Sequence, residues 1–130
     1  MKHYNVVAAV VCHDGKYLCM QKGKTKFEYT SYKWEFPGGK IEPGETPQQA
    51  LARELMEEME YPVEVGEELV TVNHEYPDFS ITMTAFLCTP KGDADGFKRR
   101  EHADSKWCRK DELKGLNWAA ADIDVVEGIL

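Results

Sequence analysis

No apolar stretch in this sequence is long enough to span a bilayer. The longest, Val6–Cys12, falls far short of the ~20 residues a membrane helix needs. The start of the chain also lacks a basic stretch leading into a long apolar one, so no secretory signal is expected and the expected location is the cytoplasm. Cysteine is sparse: Cys12, Cys19, Cys88 and Cys108 contain no CxxC pair. That spacing excludes a zinc ribbon and suits reduced thiols, with Cys12 and Cys88 in apolar, strand-like runs. Positive charge is scarce too. The 16 Lys+Arg against 23 Asp+Glu leave a net charge of -7, which argues against a grip on a nucleic-acid polymer through its phosphates. A phosphorylated small molecule stays open, because a bound cation can supply the missing positive charge. No repeat, linker or low-complexity tract divides the 130 residues, and that length supports one core. Residues 1–130 are expected to form one domain, as a monomer or a homodimer.

What is present alternates short strands with two helices. Val6–Cys12 and Tyr17–Gln21 flank His13-Asp14-Gly15-Lys16, and Asp-Gly between two apolar runs is a hairpin signal. Lys22–Lys33 is polar and reads as a loop, followed by a short strand at Trp34-Glu35-Phe36 that runs into Pro37-Gly38-Gly39. A helix is predicted from Pro47 to about Met59. Thr46 is its N-cap, Pro47 its first residue, and Gln49 completes a capping box. Pro62 requires the helix to be over by Tyr61. Val63-Glu64-Val65 reads as a separate short strand. Leu69–Tyr76 and Phe79–Cys88 read as a hairpin turning at Pro77-Asp78, with Ile81, Met83, Ala85 and Leu87 on one face. An acidic loop, Gly92–Gly96, is expected to be a solvated turn, since it lacks the full ligand run of an EF-hand. A strand around Lys106–Cys108 and a helix over Asp122–Leu130 complete the pattern. Hairpins with one or two helices indicate an α+β layered fold.

The first helix carries the chemistry. At about 100° per residue, Leu51, Ala52, Leu55, Met56 and Met59 gather on one side, while Glu54, Glu57 and Glu58 gather on another. Like charges at this spacing cost roughly 0.2–0.5 kcal/mol per pair, and the C-terminal half of a helix disfavours anions. Arg53 can offset one repulsion through Glu57. Such a face is either merely solvated or built for a cation. Its neighbours, a Gly-Gly turn and the loop Glu42-Pro43-Gly44-Glu45, favour a hard divalent ion shared between carboxylates and phosphates.

Gly39, five residues, Glu45, seven residues, then Arg53-Glu54-Leu55-Met56-Glu57-Glu58 resembles the signature of the Nudix hydrolases. The lead-in Trp34-Glu35-Phe36-Pro37-Gly38-Gly39-Lys40 resembles the MutT-type branch. One position departs: Glu60 stands where the family has a glycine that ends the helix in a left-handed turn. The resemblance implies a Nudix fold, a mixed β-sheet sandwiched between helices, and Mg²⁺-dependent hydrolysis of a nucleoside diphosphate linked to another group, with Mn²⁺ as an alternative ion. It implies that Glu54, Glu57 and Glu58 hold metal, joined by Gly38 and Glu101. Arg53 would orient Glu57, and Glu45 would support the loop. Gly38 and Gly39 would let the backbone approach the phosphates. The general base would be Glu54 or, second, Glu101. Lys22 would touch a phosphate, unless it is a surface lysine.

The C-terminal part bears on the substrate. Arg100-Glu101-His102, Lys106-Trp107-Cys108 and Ala120-Ala121-Asp122-Ile123 resemble the CTP pyrophosphohydrolases of the MutT-type group, which release pyrophosphate from nucleoside triphosphates. Asp122 would face the base, where a carboxylate accepts from an exocyclic amine; it also suits a helix N-cap. A protonated Asp122 could donate as well, which keeps 8-oxo-dGTP open. Tyr76, Phe79 and Trp118 would sandwich the base or belong to the core. His102 reads as a surface histidine. The implied activity is a nucleoside triphosphate pyrophosphohydrolase acting on cytidine-type or modified deoxynucleotides, in nucleotide-pool sanitation. Alternatives are dinucleotide polyphosphates, nucleotide sugars, or a non-catalytic nucleotide sensor.

Overall fold

The computed structural model describes residues 2–130. Strands β1 (Lys2–His13) and β2 (Lys16–Lys22) form the expected hairpin. Asp14 and Gly15 both take positive φ, 51° and 74°, the conformation a two-residue hairpin turn demands. Strands β3 (Trp34–Glu35) and β4 (Gly38–Lys40) follow, then helix α1 (Pro47–Met59). Strands β5 (Val63–Glu75), β6 (Phe79–Pro90) and β7 (His102–Arg109) lead to helix α2 (Ala120–Ile129). Short 3₁₀ turns occupy Glu28–Thr30 and Lys110–Gly115.

The sheet is mixed, in the order β3-β2-β1-β6-β5, with β4 paired to β1 and β7 to β2. β1 and β6 run parallel from Lys2↔Phe79 to Val11↔Cys88; the other pairings are antiparallel. One edge of β1 serves two partners: Val6–Ala8 pair with β4, and Cys12–His13 with β2. The sheet therefore forks, and a cleft opens at the fork.

Alternation along the strands separates two cores. Val7, Ala9, Val11, Leu18 and Met20 meet Ala50, Leu51, Leu55 and Met59 of α1. On the other face Ala8, Val10, Cys19, Met83 and Ala85 meet Ala121, Val125 and Val126 of α2. Each fully buried Leu or Met contributes roughly 1.5–3 kcal/mol, so α1 is held by its apolar face while its charged face is left for other work. The layered α+β fold with a mixed sheet between helices is the one the sequence implied.

The capping box of α1 is present: Gln49 N–H donates to Thr46 Oγ1 at 3.1 Å, and Thr46 N–H to Gln49 Oε1 at 3.0 Å. At the other end Glu60 adopts the left-handed conformation, φ 48° and ψ 42°, despite lacking the glycine's freedom. Its N–H bonds Met56 O at 3.0 Å, that of Tyr61 bonds Leu55 O at 3.2 Å, and the buried Tyr61 ring anchors the turn. The carboxylate of Glu60 pairs with Lys98 at 3.0 Å and with Arg100.

Several expectations need correction. Val63–Val65 is not a separate strand: it is continuous with Leu69–Glu75 as β5, because two bulges around Glu68 absorb the change of register against β6. The Lys22–Lys33 loop contains a 3₁₀ turn whose Thr30 is buried. The Gly92–Gly96 loop is pinned rather than simply solvated. Ala94 is buried and its carbonyl accepts from Tyr61 Oη at 2.7 Å, while Asp95 accepts from Trp107 Nε1 at 2.8 Å. Helix α2 begins two residues before Asp122, capped by Ala119 without a side-chain bond, so Asp122 is not its N-cap. All four cysteines are free thiols.

Candidate active site

Arg53 is the hub of the acidic helix. Its Nε and Nη2 donate to the two oxygens of Glu45 at 2.6 and 2.9 Å, and Nη2 also reaches Lys40 O at 3.0 Å. Its Nη1 donates to Glu54 Oε1 and Glu57 Oε2, both at 3.1 Å. A planar guanidinium can make this fork of contacts and an ammonium cannot. Glu45 Oε1 also accepts from Glu42 N–H at 2.9 Å, closing the loop before α1 on itself. The bonds from Arg53, then from the Glu42 N–H, hold the Glu45 carboxyl below the ordinary carboxylate range.

Of the three glutamates on this face, two point inward. Glu54 and Glu58 line a recess of about 460 Å³ with Gly39, Lys40, Ile41, Glu42 and Pro43. A Cβ on Gly39 would collide with the Glu54 carboxylate, so only glycine lets that carboxylate lie against β4. Glu58 is pushed up to about 8, first by burial and then by the charges of Glu54 and Glu101 and a hydrogen bond with Glu54; Glu35 adds to it. Glu57 is 60% exposed and stays on Arg53. Glu101 lies in neither cavity wall, though its charge reaches Glu58. Among the described residues no three such side chains already converge on one point. The donors are all hard oxygens crowded by like charge, which a divalent cation would relieve; the residues fit such an ion.

A second, larger cavity of about 960 Å³ occupies the fork of the sheet. Lys22, Gly38, Gly39, Tyr76, Phe79 and Asp122, expected at the substrate from widely separated parts of the chain, all line it. Gly39 and Lys40 belong to both cavities, so the cleft and the acidic recess adjoin along β4; Gly38 and Gly39, expected in a turn, are strand residues paired with β1. A Cβ on Gly38 would overlap the Val7 carbonyl of β1, which explains that glycine by packing. Tyr76 and Phe79 stack at 4.8 Å, and Phe27 extends the aromatic wall at 5.6 Å from Phe79. Asp122 is buried, and its Oδ1 accepts from Phe36 N–H at 3.0 Å. Burial, then the charge of Glu35, pushes its carboxyl up to about 8.

The structure moves two candidates elsewhere. Trp118 lies in the core, stacked on Phe36 at 4.8 Å with Nε1 donating to Leu113 O at 2.7 Å, and does not wall the cleft. His102 is not a surface residue: its side chain is 4% exposed, and Nε2 lies 3.0 Å from Glu35 Oε2. Sequence reasoning also missed Glu35, Phe27, Tyr4 and Lys40 as cleft residues. For Glu35 and Lys40 the signal was their place in the lead-in around Gly38-Gly39. Phe27 carried none, because nothing local shows which way a polar loop folds.

A cleft at a forked mixed sheet, bordered by the glycine strand β4 that lies against an Arg-anchored acidic helix, defines a phosphohydrolase of the Nudix kind. The model of the NUDIX domain matches residues 1–127, and the chain belongs to the Nudix hydrolase family. It is 35% identical to the CTP pyrophosphohydrolase of Escherichia coli (strain K12) over 100% of this chain and 93% of that protein. It is 41% identical to an 8-oxo-dGTP diphosphatase of Proteus vulgaris over 68% of this chain and 78% of that one. The solution structure of MutT, a Nudix hydrolase from methicillin-resistant Staphylococcus aureus 252, is 39% identical, with a TM-score of 0.75 over 99% of this chain and 97% of its own. The protein is thus an enzyme of the MutT type, in a family that generally depends on divalent metal. No helix among the described residues is long and apolar enough to cross a membrane.

Proposed function

We propose that this enzyme hydrolyses nucleoside triphosphates to the monophosphate and pyrophosphate, with a preference for cytidine-type or modified deoxynucleotides. The observation that carries the reading is that the cleft holding Asp122 and the aromatic wall shares two lining residues, Gly39 and Lys40, with the acidic recess of Glu54 and Glu58. The base would stack on Tyr76 and Phe79 and present an amine to Asp122. The phosphate chain would pass Lys22 and the N–H groups of Gly38 and Gly39. Glu54, Glu57 and Glu58, with the Gly38 carbonyl and Glu101, would hold Mg²⁺ (or Mn²⁺). Bound there, the ion neutralises phosphate charge and lowers the pKa of the attacking water. Arg53 holds Glu54 and Glu57 in place for that task. Glu54 is our first choice to take the proton of the attacking water, with Glu101 second. We infer one catalytic domain, residues 1–130, working in the cytoplasm on a free nucleotide rather than on a nucleic-acid polymer.

One observation favours a second reading. Asp122 is buried beside the charge of Glu35, which favours the protonated carboxyl and lets it donate as well as accept. That suits an oxidised guanine, so 8-oxo-dGTP is the principal rival to the cytidine compounds.

The experiment is pyrophosphate release with Mg²⁺ from CTP, dCTP, 5-methyl-dCTP, 5-hydroxy-dCTP, 8-oxo-dGTP, 2-hydroxy-dATP and the ordinary triphosphates. A cytidine compound at the top supports the first reading, and 8-oxo-dGTP at the top supports the second. No turnover across the panel overturns both and directs attention to dinucleotide polyphosphates and nucleotide sugars. Asp122→Ala should reorder the panel; an equal loss for every compound would remove Asp122 from base recognition.

A further inference from the structure

His102 costs the protein a buried polar atom. Its Nδ1 is fully enclosed and has no hydrogen-bond partner among the described residues, a situation a core usually avoids. If the side chain only filled space, an apolar ring would serve better. The one polar contact that accounts for an imidazole is the one from Nε2 to Glu35 Oε2 at 3.0 Å. Nε2–H is the donor there, because a carboxylate can only accept.

The other oxygen of Glu35 faces Lys22. Oε1 lies 3.6 Å from the Lys22 ammonium, within ionic reach but beyond a hydrogen bond. These three residues come from three strands: Lys22 ends β2, Glu35 ends β3, and His102 begins β7. A bulge in the β2–β7 ladder between Gln21 and Lys22 brings Lys22 opposite His102, and bulges re-aim side chains in this way. Lys22 and Glu35 line the cleft; His102 does not.

We propose that His102 is a positioning residue for nucleotide binding. By tethering one oxygen of Glu35 it stops that carboxylate from closing on Lys22. The ammonium is steered toward the cleft and keeps its N–H groups for the phosphate chain of the substrate. This inference rests on the reading of Lys22 as a phosphate contact. Removing the tether without changing the bulk lets Glu35 close on Lys22 and occupy it. Since phosphate binding by Lys22 is made in ground and transition states alike, the loss falls on KM rather than kcat.

The test uses the triphosphate turned over best by the wild type. His102→Phe should raise KM about tenfold, the effect of one lost polar contact, with kcat within about twofold. His102→Gln, which keeps an N–H near the ε position, should bring KM back to within about threefold. Adding Glu35→Gln to His102→Phe should lower KM again, because a neutral amide does not bind Lys22 as an ion pair. An unchanged KM in His102→Phe, or no recovery in the double variant, overturns the proposal. If Lys22→Met leaves KM unchanged, the phosphate role of Lys22 fails and the proposal with it; if KM rises there but not in His102→Phe, only the tether fails. A readout independent of turnover is long-range ¹H–¹⁵N NMR of the wild type. It should find the His102 proton on Nε2, and a neutral ring protonated on Nδ1 alone would also overturn the proposal.

Discussion

The carboxylate of Asp122, in the first turn of α2, accepts the backbone N–H of Phe36 at 3.0 Å. This bond ties the last helix to the short link between β3 and β4, so the proposed base reader and the glycines of β4 share one anchor.

The same burial predicts how stability depends on pH. The Asp122 carboxyl is pushed from an ordinary 3.8 to about 8, so between those values the folded protein binds a proton the unfolded chain has released. Its contribution is complete below the ordinary value and falls as pH rises toward about 8. Asp122→Asn keeps an oxygen for Phe36 N–H and does not ionise. Thermal unfolding from pH 5 to 9 should show a shallower decline for Asp122→Asn than for the wild type, with the variant the more stable at pH 9. Parallel curves would contradict the assignment.

Glu57 should matter for chemistry and not for folding. It is exposed, and its partner Arg53 keeps Glu45 and Glu54 without it. Glu57→Gln should lower kcat by about a thousandfold, as expected for a lost ligand to a catalytic ion, while the thermal midpoint stays within a few degrees. A near-normal kcat would remove Glu57 from the proposed metal site.

The two neighbouring glycines should fail differently. At Gly38 an added methyl meets the β1 backbone at Val7 and Ala8, which cannot step aside. Gly38→Ala should cost about 3 kcal/mol or more in urea unfolding. At Gly39 the methyl meets the side chain of Glu54, which can turn away. Gly39→Ala should stay folded and lose most hydrolysis. Equal loss of stability in both variants would contradict this division.

Glu60 offers a salt-dependent test. Its left-handed backbone disfavours any non-glycine residue, while its pairs with Lys98 and Arg100 work against that cost. Salt screens the exposed pairs and leaves the backbone strain untouched. Glu60→Gly should therefore gain stability relative to the wild type as NaCl rises from 50 mM to 1 M. A difference independent of salt would show that the pairs do not offset the strain.

Some of the site could be read before any fold was known. Thr46, Pro47 and Gln49 announce the start of α1, and the spacing of Arg53, Glu54, Glu57 and Glu58 is a local helical fact. The division of labour among those glutamates was not legible. Helical periodicity puts them on one face, but only the packing of that face against β4 half-buries Glu54 and Glu58 and leaves Glu57 exposed. His102 shows the same limit: it reads as a surface histidine in the sequence, and the pairing of β7 with β2 encloses its side chain.

The sequence by itself determined the local structures whose signals lie within a few residues: the Asp14-Gly15 hairpin, the capped acidic helix and the apolar face of β6. It also determined the family, because the motif from Gly39 to Glu58 is contiguous. Only the tertiary structure decided the parallel pairing of β1 with β6, the fork that opens the cleft, and the meeting of Lys22, Glu35, Tyr76 and Asp122 in one wall. Those contacts join residues far apart in the chain. They are chosen by the burial of two apolar faces at once, a condition that no short stretch of sequence contains.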